Sequence, residues 1–132
     1  MLPARYRDAL VTPADNRVVV TADPSKCLLL FPLVQWEPIE KKLNALSSFD
    51  PRTRGLQRLL VGNAADLELD ASGRILLTAN LRKFADLDKS VVMVGQGAKF
   101  ELWNEDRWQQ QMDAAADLVE AGMPDELAGF TL

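Results

Sequence analysis

Two parts of the 132-residue chain show the same order of hydrophobic and polar patterns. In the later part, a β-branched run at 90–95, a turn at 96–98 and an alternating segment at 99–103 predict a hairpin. In the earlier part, two apolar segments at 18–22 and 27–31 predict the matching pair of strands. The chain is therefore expected to contain two similar hairpins.

Each predicted hairpin leads into a longer helix. Pro32 opens the first helix, whose apolar residues recur at helical spacing and predict a packed stripe formed by Trp36, Ile39, Leu43 and Leu46. Asn104 is the predicted N-cap of the second helix, and acidic residues follow it in the first turn, where the helix dipole favours them. The apolar positions of this helix are Trp108, Met112, Ala115 and Val119, and it is predicted to end at Gly122 and Pro124.

Aligning the two parts reveals an internal repeat. The matched segments are 2–7 with 77–82 at a spacing of 75, 18–20 with 91–93 at 73, and 28–36 with 100–108 at 72. Because Trp36 falls on Trp108, we interpret both as core residues rather than as residues that stack on bases. The predicted fold class is α+β, with two tandem, pseudo-symmetric modules of β-strands and flanking helices.

A helix is also predicted between the two copies. Asp50 is a suitable N-cap, and Pro51 suits the first helical position. Arg54 and Arg58 share its exposed face, which is either simply solvated or contacts an anion. The predicted division is a first module at 1–48, this connecting helix at 49–65, a second module at 66–110, and a C-terminal helix end with an acidic tail at 111–132.

The second copy begins with a candidate functional loop. Apolar segments at 67–69 and 75–77 flank an Asp-x-x-Gly turn and predict a hairpin. Asp70 can bond to its own backbone and Gly73 can supply a positive φ, so both are predicted to organise the loop. Arg74 follows the turn immediately, where its planar, permanently charged guanidinium suits a phosphate or a base edge.

The first copy has no counterpart of this loop in the sequence. At a spacing of 75, residues 70–74 would correspond to positions before Met1. We therefore expect the first copy to lack its leading hairpin, because the chain is truncated, begins at an internal methionine or evolved without that hairpin. Loss of the hairpin would leave a strand edge without its partner, which favours truncation.

Composition excludes several kinds of chemistry. The chain has no His, which removes Ser-His-Asp and Cys-His catalysis and imidazole metal ligands. Its one cysteine, Cys27, cannot form an internal disulfide and lies in an apolar run typical of a buried small residue. With no signal peptide and no apolar run approaching the roughly 20 residues of a membrane span, we expect a cytoplasmic protein with no membrane partner.

The net charge of −4 is unevenly distributed. From Glu105 onward there are seven acids and one base, Arg107, so the preceding part carries 14 bases and 12 acids, a net charge of +2. Overall acidity therefore does not exclude a local surface that binds anions.

Four segments carry a specific resemblance, at 26–36, 56–62, 70–74 and 94–103. Through them the chain resembles the MraZ family of bacterial transcriptional regulators, which are built on the AbrB-like swapped-hairpin fold. The resemblance implies a ring-shaped homo-oligomer that binds short direct repeats in promoter DNA of the division and cell wall gene cluster, and hence association with the nucleoid. It implies no cofactor, metal or catalytic residue.

The resemblance also assigns candidate residues. The family's DNA-contact motif falls on Asp70 and Arg74, with Asp70 as loop organiser, while Arg5 and Arg7 match the basic segment that follows the missing first loop. With the nearby bases Arg82 and Lys83, the predicted DNA-binding residues are Arg5, Arg7, Arg74, Arg82 and Lys83.

Two other classes of function are alternatives. An enzyme could use Asp66, Glu68 and Asp70, which alternate along a strand and could bind a divalent cation, although the solvent face of a hairpin explains the same pattern. A dinucleotide loop at 95–97 is excluded because Phe100 stands where the third glycine belongs. The other alternative is an oligomeric protein-interaction module whose DNA binding is impaired by the missing hairpin.

Overall fold

Five antiparallel strands form one sheet in the structure, a computed structural model that describes residues 16–47, 49–97, 99–122 and 124–125. The strands are β1 (Arg17–Ala22), β2 (Leu28–Pro32), β3 (Ala65–Glu68), β4 (Val91–Gln96) and β5 (Lys99–Asn104), in the spatial order β3-β1-β2-β5-β4. The helices are α1 (Leu33–Ala45), α2 (Pro51–Leu60), α3 (Ala79–Ala85) and α4 (Glu105–Ala121). The predicted α+β class is confirmed, as are both predicted hairpins, β1–β2 and β4–β5.

The two hairpins meet at β2 and β5. Leu29 lies opposite Glu101, its own counterpart at the spacing of 72, while Leu28 faces Leu102 and Leu30 faces Phe100. Leu28 thus pairs with the counterpart of Leu30, and Leu30 pairs with the counterpart of Leu28. A two-fold axis through the Leu29 and Glu101 pair produces this reciprocal pattern. The internal repeat is therefore a pseudo-two-fold symmetry of the sheet.

Strand β3 crosses from the second copy to the first. It pairs with β1, from Arg17 opposite Glu68 to Val20 opposite Ala65. The exchange places the strand that leads the second copy on the edge of the first copy's hairpin. This is the strand exchange of a swapped-hairpin fold.

Residues 75–77 differ from their predicted structure. They form no strand, although the preceding turn is present. Ile75 and Leu77 instead pack against the hydrophobic cluster on one face of the sheet. Side-chain burial, rather than pairing with β3, therefore fixes the second arm of the loop.

Both faces of the central strands are covered. Successive side chains of a strand point to opposite faces, so Val18 and Val20 enter one cluster and Val19 enters the other. The first cluster packs under α3 through Leu81 and Ala85. The second packs under α1 and α2, and the Thr21 hydroxyl on this face donates to the Leu60 carbonyl at 2.5 Å.

The two pseudo-equivalent helices have different surroundings. In α1, Trp36 and Leu43 are buried and Leu56 and Leu60 of α2 pack against their cluster, whereas Leu46 is exposed rather than part of the packed stripe. In α4 no residue is fully buried. The predicted inward positions Met112, Ala115 and Val119 are exposed, and neither hydrophobic cluster within the described residues includes them.

The tryptophans reflect this difference. Trp36 is 3% exposed, lies 5.4 Å from Phe31 between ring centroids and donates its indole N–H to Glu40. Trp108 is half-buried, and its ring centroid lies 5.8 Å from that of Trp103. The core position predicted for Trp36 is confirmed, while Trp108 occupies the margin of the core. No helix in the described residues is long and apolar enough to cross a membrane.

Removal of Trp36 is expected to destabilise the protein strongly. Trp36→Ala leaves a large cavity between α1 and the sheet, and we expect it to lower the free energy of unfolding by about 3–5 kcal/mol. Val34→Ala is the matched control, because Val34 lies on the same helix at 65% exposure and its loss should change stability by less than about 0.5 kcal/mol. Denaturant unfolding measures both, and equal effects would contradict the burial assigned to Trp36.

The buried thiol of Cys27 is expected to be unreactive in the folded protein. Burial, reinforced by the nearby Asp23 and Glu101 carboxylates, raises the pKa of Cys27 to about 12. A thiol-specific reagent at pH 8 should therefore react roughly a thousandfold more slowly than with an ordinary exposed cysteine. Unfolding in denaturant should restore the ordinary rate, whereas a fast reaction in the folded state would contradict the buried position.

Candidate functional site

The loop at residues 70–74 is held by bonds that converge on Asp70. Its carboxylate oxygen Oδ1 accepts from the backbone N–H groups of Ser72 at 2.9 Å and Arg74 at 2.8 Å. Its backbone N–H donates to the Arg74 carbonyl at 2.9 Å, and its carbonyl accepts from Gly73 at 3.0 Å. Gly73 is buried with a φ of 76°, a conformation that favours glycine. The loop therefore has the internal bonding predicted for an Asp-x-x-Gly turn.

The carboxylate of Asp70 is stabilised in its charged form. The hydrogen bond from the Arg74 backbone N–H is the largest of the effects that hold the pKa of Asp70 below its ordinary value. The Ser72 N–H and the charge of Arg74 act in the same direction. Asp70 is therefore ionised at neutral pH and engaged with the loop's own backbone.

The base of the loop is fixed to β1. Leu69 is buried, its N–H donates to the Asn16 carbonyl at 3.0 Å, and its carbonyl accepts from the Asn16 side chain at 2.9 Å. On the same two strands, the Arg17 side chain of β1 forms an ion pair with Asp66 of β3. These contacts extend the β1–β3 pairing up to the loop. Local sequence patterns could not predict this role of Asn16, because its partner lies 53 residues further along the chain.

Three of the predicted DNA-binding side chains lie on the segment that this loop begins. Arg74 is exposed at the end of the turn, and Arg82 and Lys83 are exposed on α3. Within the described ranges, none of these three side chains forms a hydrogen bond or an ion pair. Leu81 and Ala85 anchor α3 in the core, so Arg82 and Lys83 project from a fixed support.

The remaining predicted residues have separate outcomes. Arg5 and Arg7 lie outside the described residues. Asp66, Glu68 and Asp70 do not form a metal site, since the structure places no group of three or more His, Cys, Asp or Glu side chains together within the residues it describes. Asp66 is paired with Arg17, and Asp70 with the backbone of its own loop.

Arg107 has a structural role that sequence reasoning missed. Its side chain donates to the carbonyls of Lys26 at 3.2 Å and Phe84 at 3.3 Å. It thereby joins α4 to the β1–β2 turn and to α3, while its backbone N–H is capped by Asn104. The available signal was its position as the only base after residue 104.

Comparison with known proteins agrees with the two-copy architecture. The family model for the antitoxin-like MraZ protein matches residues 1–59 and 60–123. The chain belongs to the MraZ family. The MraZ model thus matches twice in tandem, and the strand exchange between β3 and β1 agrees with the swapped-hairpin fold implied by the resemblance.

Curated MraZ relatives match along the whole chain. The protein of Thiobacillus denitrificans named "Transcriptional regulator MraZ" is 61% identical over 132 residues, which cover 100% of this chain and 89% of that protein. Proteins of the same name from Nitrosospira multiformis and Nitrosomonas europaea are 59% and 53% identical over 131 residues, covering 99% of this chain and 88% of each relative.

The bonds to Asp70 predict a specific order of stability among its variants. Asp70→Ala removes the carboxylate oxygen that accepts both backbone N–H groups and is expected to lower the Tm at pH 7. Asp70→Asn keeps one acceptor oxygen and should lower the Tm less. Since the folded pKa is depressed, the contribution of the carboxylate is present above the unfolded pKa of about 3.9 and is lost as pH falls through the folded pKa.

The Tm difference between the unsubstituted chain and Asp70→Ala should therefore shrink as the pH is lowered below about 4. Glu68→Gln is the control, because it removes an exposed carboxylate close to the loop without affecting the bonds to Asp70. A Tm difference for Asp70→Ala that stays constant from pH 7 to pH 2 would contradict the bonding role of the charged form.

Proposed function

We propose that the chain is a DNA-binding transcriptional regulator that acts on short direct repeats in the promoter of the division and cell wall gene cluster. The observation that carries the proposal is the loop at 70–74, which holds Arg74 at the surface on an internally bonded turn. The name shared by the MraZ relatives supports the same role. This role requires no catalytic residue and no cofactor.

The electrostatics of the loop support contact with DNA. A carboxylate near an arginine usually competes with phosphate for it, but Asp70 accepts backbone N–H groups and Asp66 is paired with Arg17. The guanidinium of Arg74 is therefore available for a bidentate contact with a phosphate or a guanine edge. Asp70 and Gly73 position the loop, and neither needs to touch DNA.

The other cations would orient the chain on the duplex. In the proposal, Arg82 and Lys83, together with Arg5 and Arg7, contact phosphates, which position a protein without reading sequence. Such contacts release counterions, so the affinity depends steeply on salt concentration. The overall charge of −4 is compatible with this, because all of the acidic excess follows residue 104.

Self-association completes the proposal. A ring of identical chains would present one Arg74 loop per subunit to successive direct repeats. After the first contact, the later ones are effectively intramolecular and gain from high effective concentration. The proposed place of action is the nucleoid in the cytoplasm.

Replacement of Arg74 is expected to weaken DNA binding and its salt dependence together. Against a duplex with tandem short repeats, Arg74→Ala should raise the Kd by at least about tenfold and reduce the salt slope by about one per bound subunit. Arg52→Ala is the matched control, because it removes the same charge from an exposed arginine that pairs locally with Asp50. Fluorescence anisotropy over a series of salt concentrations measures both variants.

Two results would contradict contact between the loop at 70–74 and DNA. Binding that does not change with salt, or that Arg74→Ala and Arg52→Ala weaken equally, would show that the loop does not contact DNA. Absence of binding by the unsubstituted chain, which still forms a discrete oligomer, would favour the alternative of an assembly module.

A further inference from the structure

A cleft lies where the β1–β2 turn, α3 and α4 meet. Its volume of about 480 Å³ falls within the range of small-molecule sites. Aromatic, amide and cationic side chains border it, namely Lys26, Phe84, Trp103, Arg107, Gln110 and Gln111. None of the described residues that line it is acidic. We call this site the Arg107 cleft.

Arg107 is held in a fixed orientation at the cleft. One terminal nitrogen, Nη1, donates to the Lys26 carbonyl at 3.2 Å and to the Phe84 carbonyl at 3.3 Å. Among the described residues, its Nε and Nη2 atoms have no hydrogen-bond acceptor. A guanidinium that is positioned through one nitrogen can offer the others to a bound anion with little further loss of side-chain freedom.

Lys26 supplies a second positive charge. Its turn is closed by hydrogen bonds from the Lys26 N–H to the Asp23 carbonyl and from the Asp23 N–H to the Cys27 carbonyl, both at 3.0 Å. The Lys26 ammonium group lies 5.1 Å from the centroid of the Phe84 ring, a cation–π contact that holds it near the cleft. Within the described ranges, its N–H donors form no hydrogen bond or ion pair.

Three acids lie near these cations in the sequence without lining the cleft. Asp23 accepts the Ser25 N–H at 2.9 Å, and Glu101 accepts the Trp103 indole N–H at 3.1 Å. The third, Asp106, is exposed. The described surface of the cleft is therefore positively charged, although the chain has a net charge of −4.

The internal repeat shows that the architecture does not dictate a cation at Arg107. At the spacing of 72, the counterpart of Arg107 in α1 is Gln35, an exposed and uncharged residue. Helix α1 therefore packs on its hairpin without an arginine at this position. The positive charge of Arg107 is a property of the second copy alone.

We propose that the Arg107 cleft binds a phosphate monoester that carries a planar ring, the chemistry of a nucleoside monophosphate. At neutral pH such a phosphate has a charge of about −1.5 to −2, which matches the charges of Lys26 and Arg107. The ring would lie against Phe84, and the amides of Gln110 and Gln111 can bond to its polar edge or to hydroxyl groups. None of residues 70–74 lines the cleft, so the inference does not depend on the DNA contact proposed for Arg74.

Binding of adenosine monophosphate in the absence of DNA provides the first test. Isothermal titration calorimetry should show one site per chain. Adenosine, which lacks the phosphate, and inorganic phosphate, which lacks the ring, should each bind at least about tenfold more weakly, because each loses one set of contacts.

Removal of the Lys26 charge provides the second test. Lys26→Gln should raise the Kd for adenosine monophosphate at least about tenfold, because a charge-assisted hydrogen bond is lost. Lys89→Gln is the matched control, since it makes the same change at an exposed lysine that does not line the cleft and should leave the Kd unchanged. Arg107→Gln should also weaken binding. Circular dichroism verifies folding, and Lys26→Gln decides the outcome if Arg107→Gln unfolds the chain.

The outcomes separate this inference from the proposed function. Absence of adenosine monophosphate binding, or equal binding of inorganic phosphate, would overturn it. Equal losses of affinity in Lys26→Gln and Lys89→Gln would overturn the assigned site. If Lys26→Gln weakens binding to a tandem-repeat duplex and leaves adenosine monophosphate binding unchanged, the cleft contacts DNA phosphates instead. A chain that binds adenosine monophosphate as expected but no duplex supports the cleft and contradicts the proposed function alone.

Discussion

The pairing of β2 with β5 is the contact on which the rest of the structure depends. It joins the two copies into one sheet about a pseudo-two-fold axis, with Leu28, Leu30, Phe100 and Leu102 buried along it. Each hairpin alone would be a two-stranded ribbon, which is marginally stable in water. Once paired, the hairpins bury both faces of the central strands and provide edges on which the other elements assemble.

Strand exchange connects this core to the loop at 70–74. β3 leads the second copy but pairs with β1 of the first, and Asn16 and Leu69 extend that pairing to the start of the turn. The loop is thus supported on one side by the sheet and on the other by Ile75 and Leu77 in the core. The backbone of a surface arginine is held in place in this way without burial of its side chain, which is compatible with the phosphate or base contact proposed for Arg74.

Local sequence patterns predicted the elements well. Periodicity and capping residues predicted both hairpins, the N-cap at Asn104 and the helix start at Asp50 and Pro51, because these depend on neighbours in sequence. The bonding of Asp70 within its loop was predicted for the same reason. Contacts between distant segments were not: the packing of Ile75 and Leu77, the Asn16 clamp and the Arg107 bridge depend on the pairing of strands far apart in the chain. The packed stripe expected on α4 failed because periodicity identifies an apolar face but not its partner.

The most direct test of the central claim is the structure of the chain bound to a duplex of tandem short repeats. The account predicts the guanidinium of Arg74 within about 3 Å of a phosphate oxygen or a base edge, with Asp70 still bonded to the backbone of its loop. A complex in which the duplex lies elsewhere on the protein, with Arg74 facing solvent in every subunit, would contradict it.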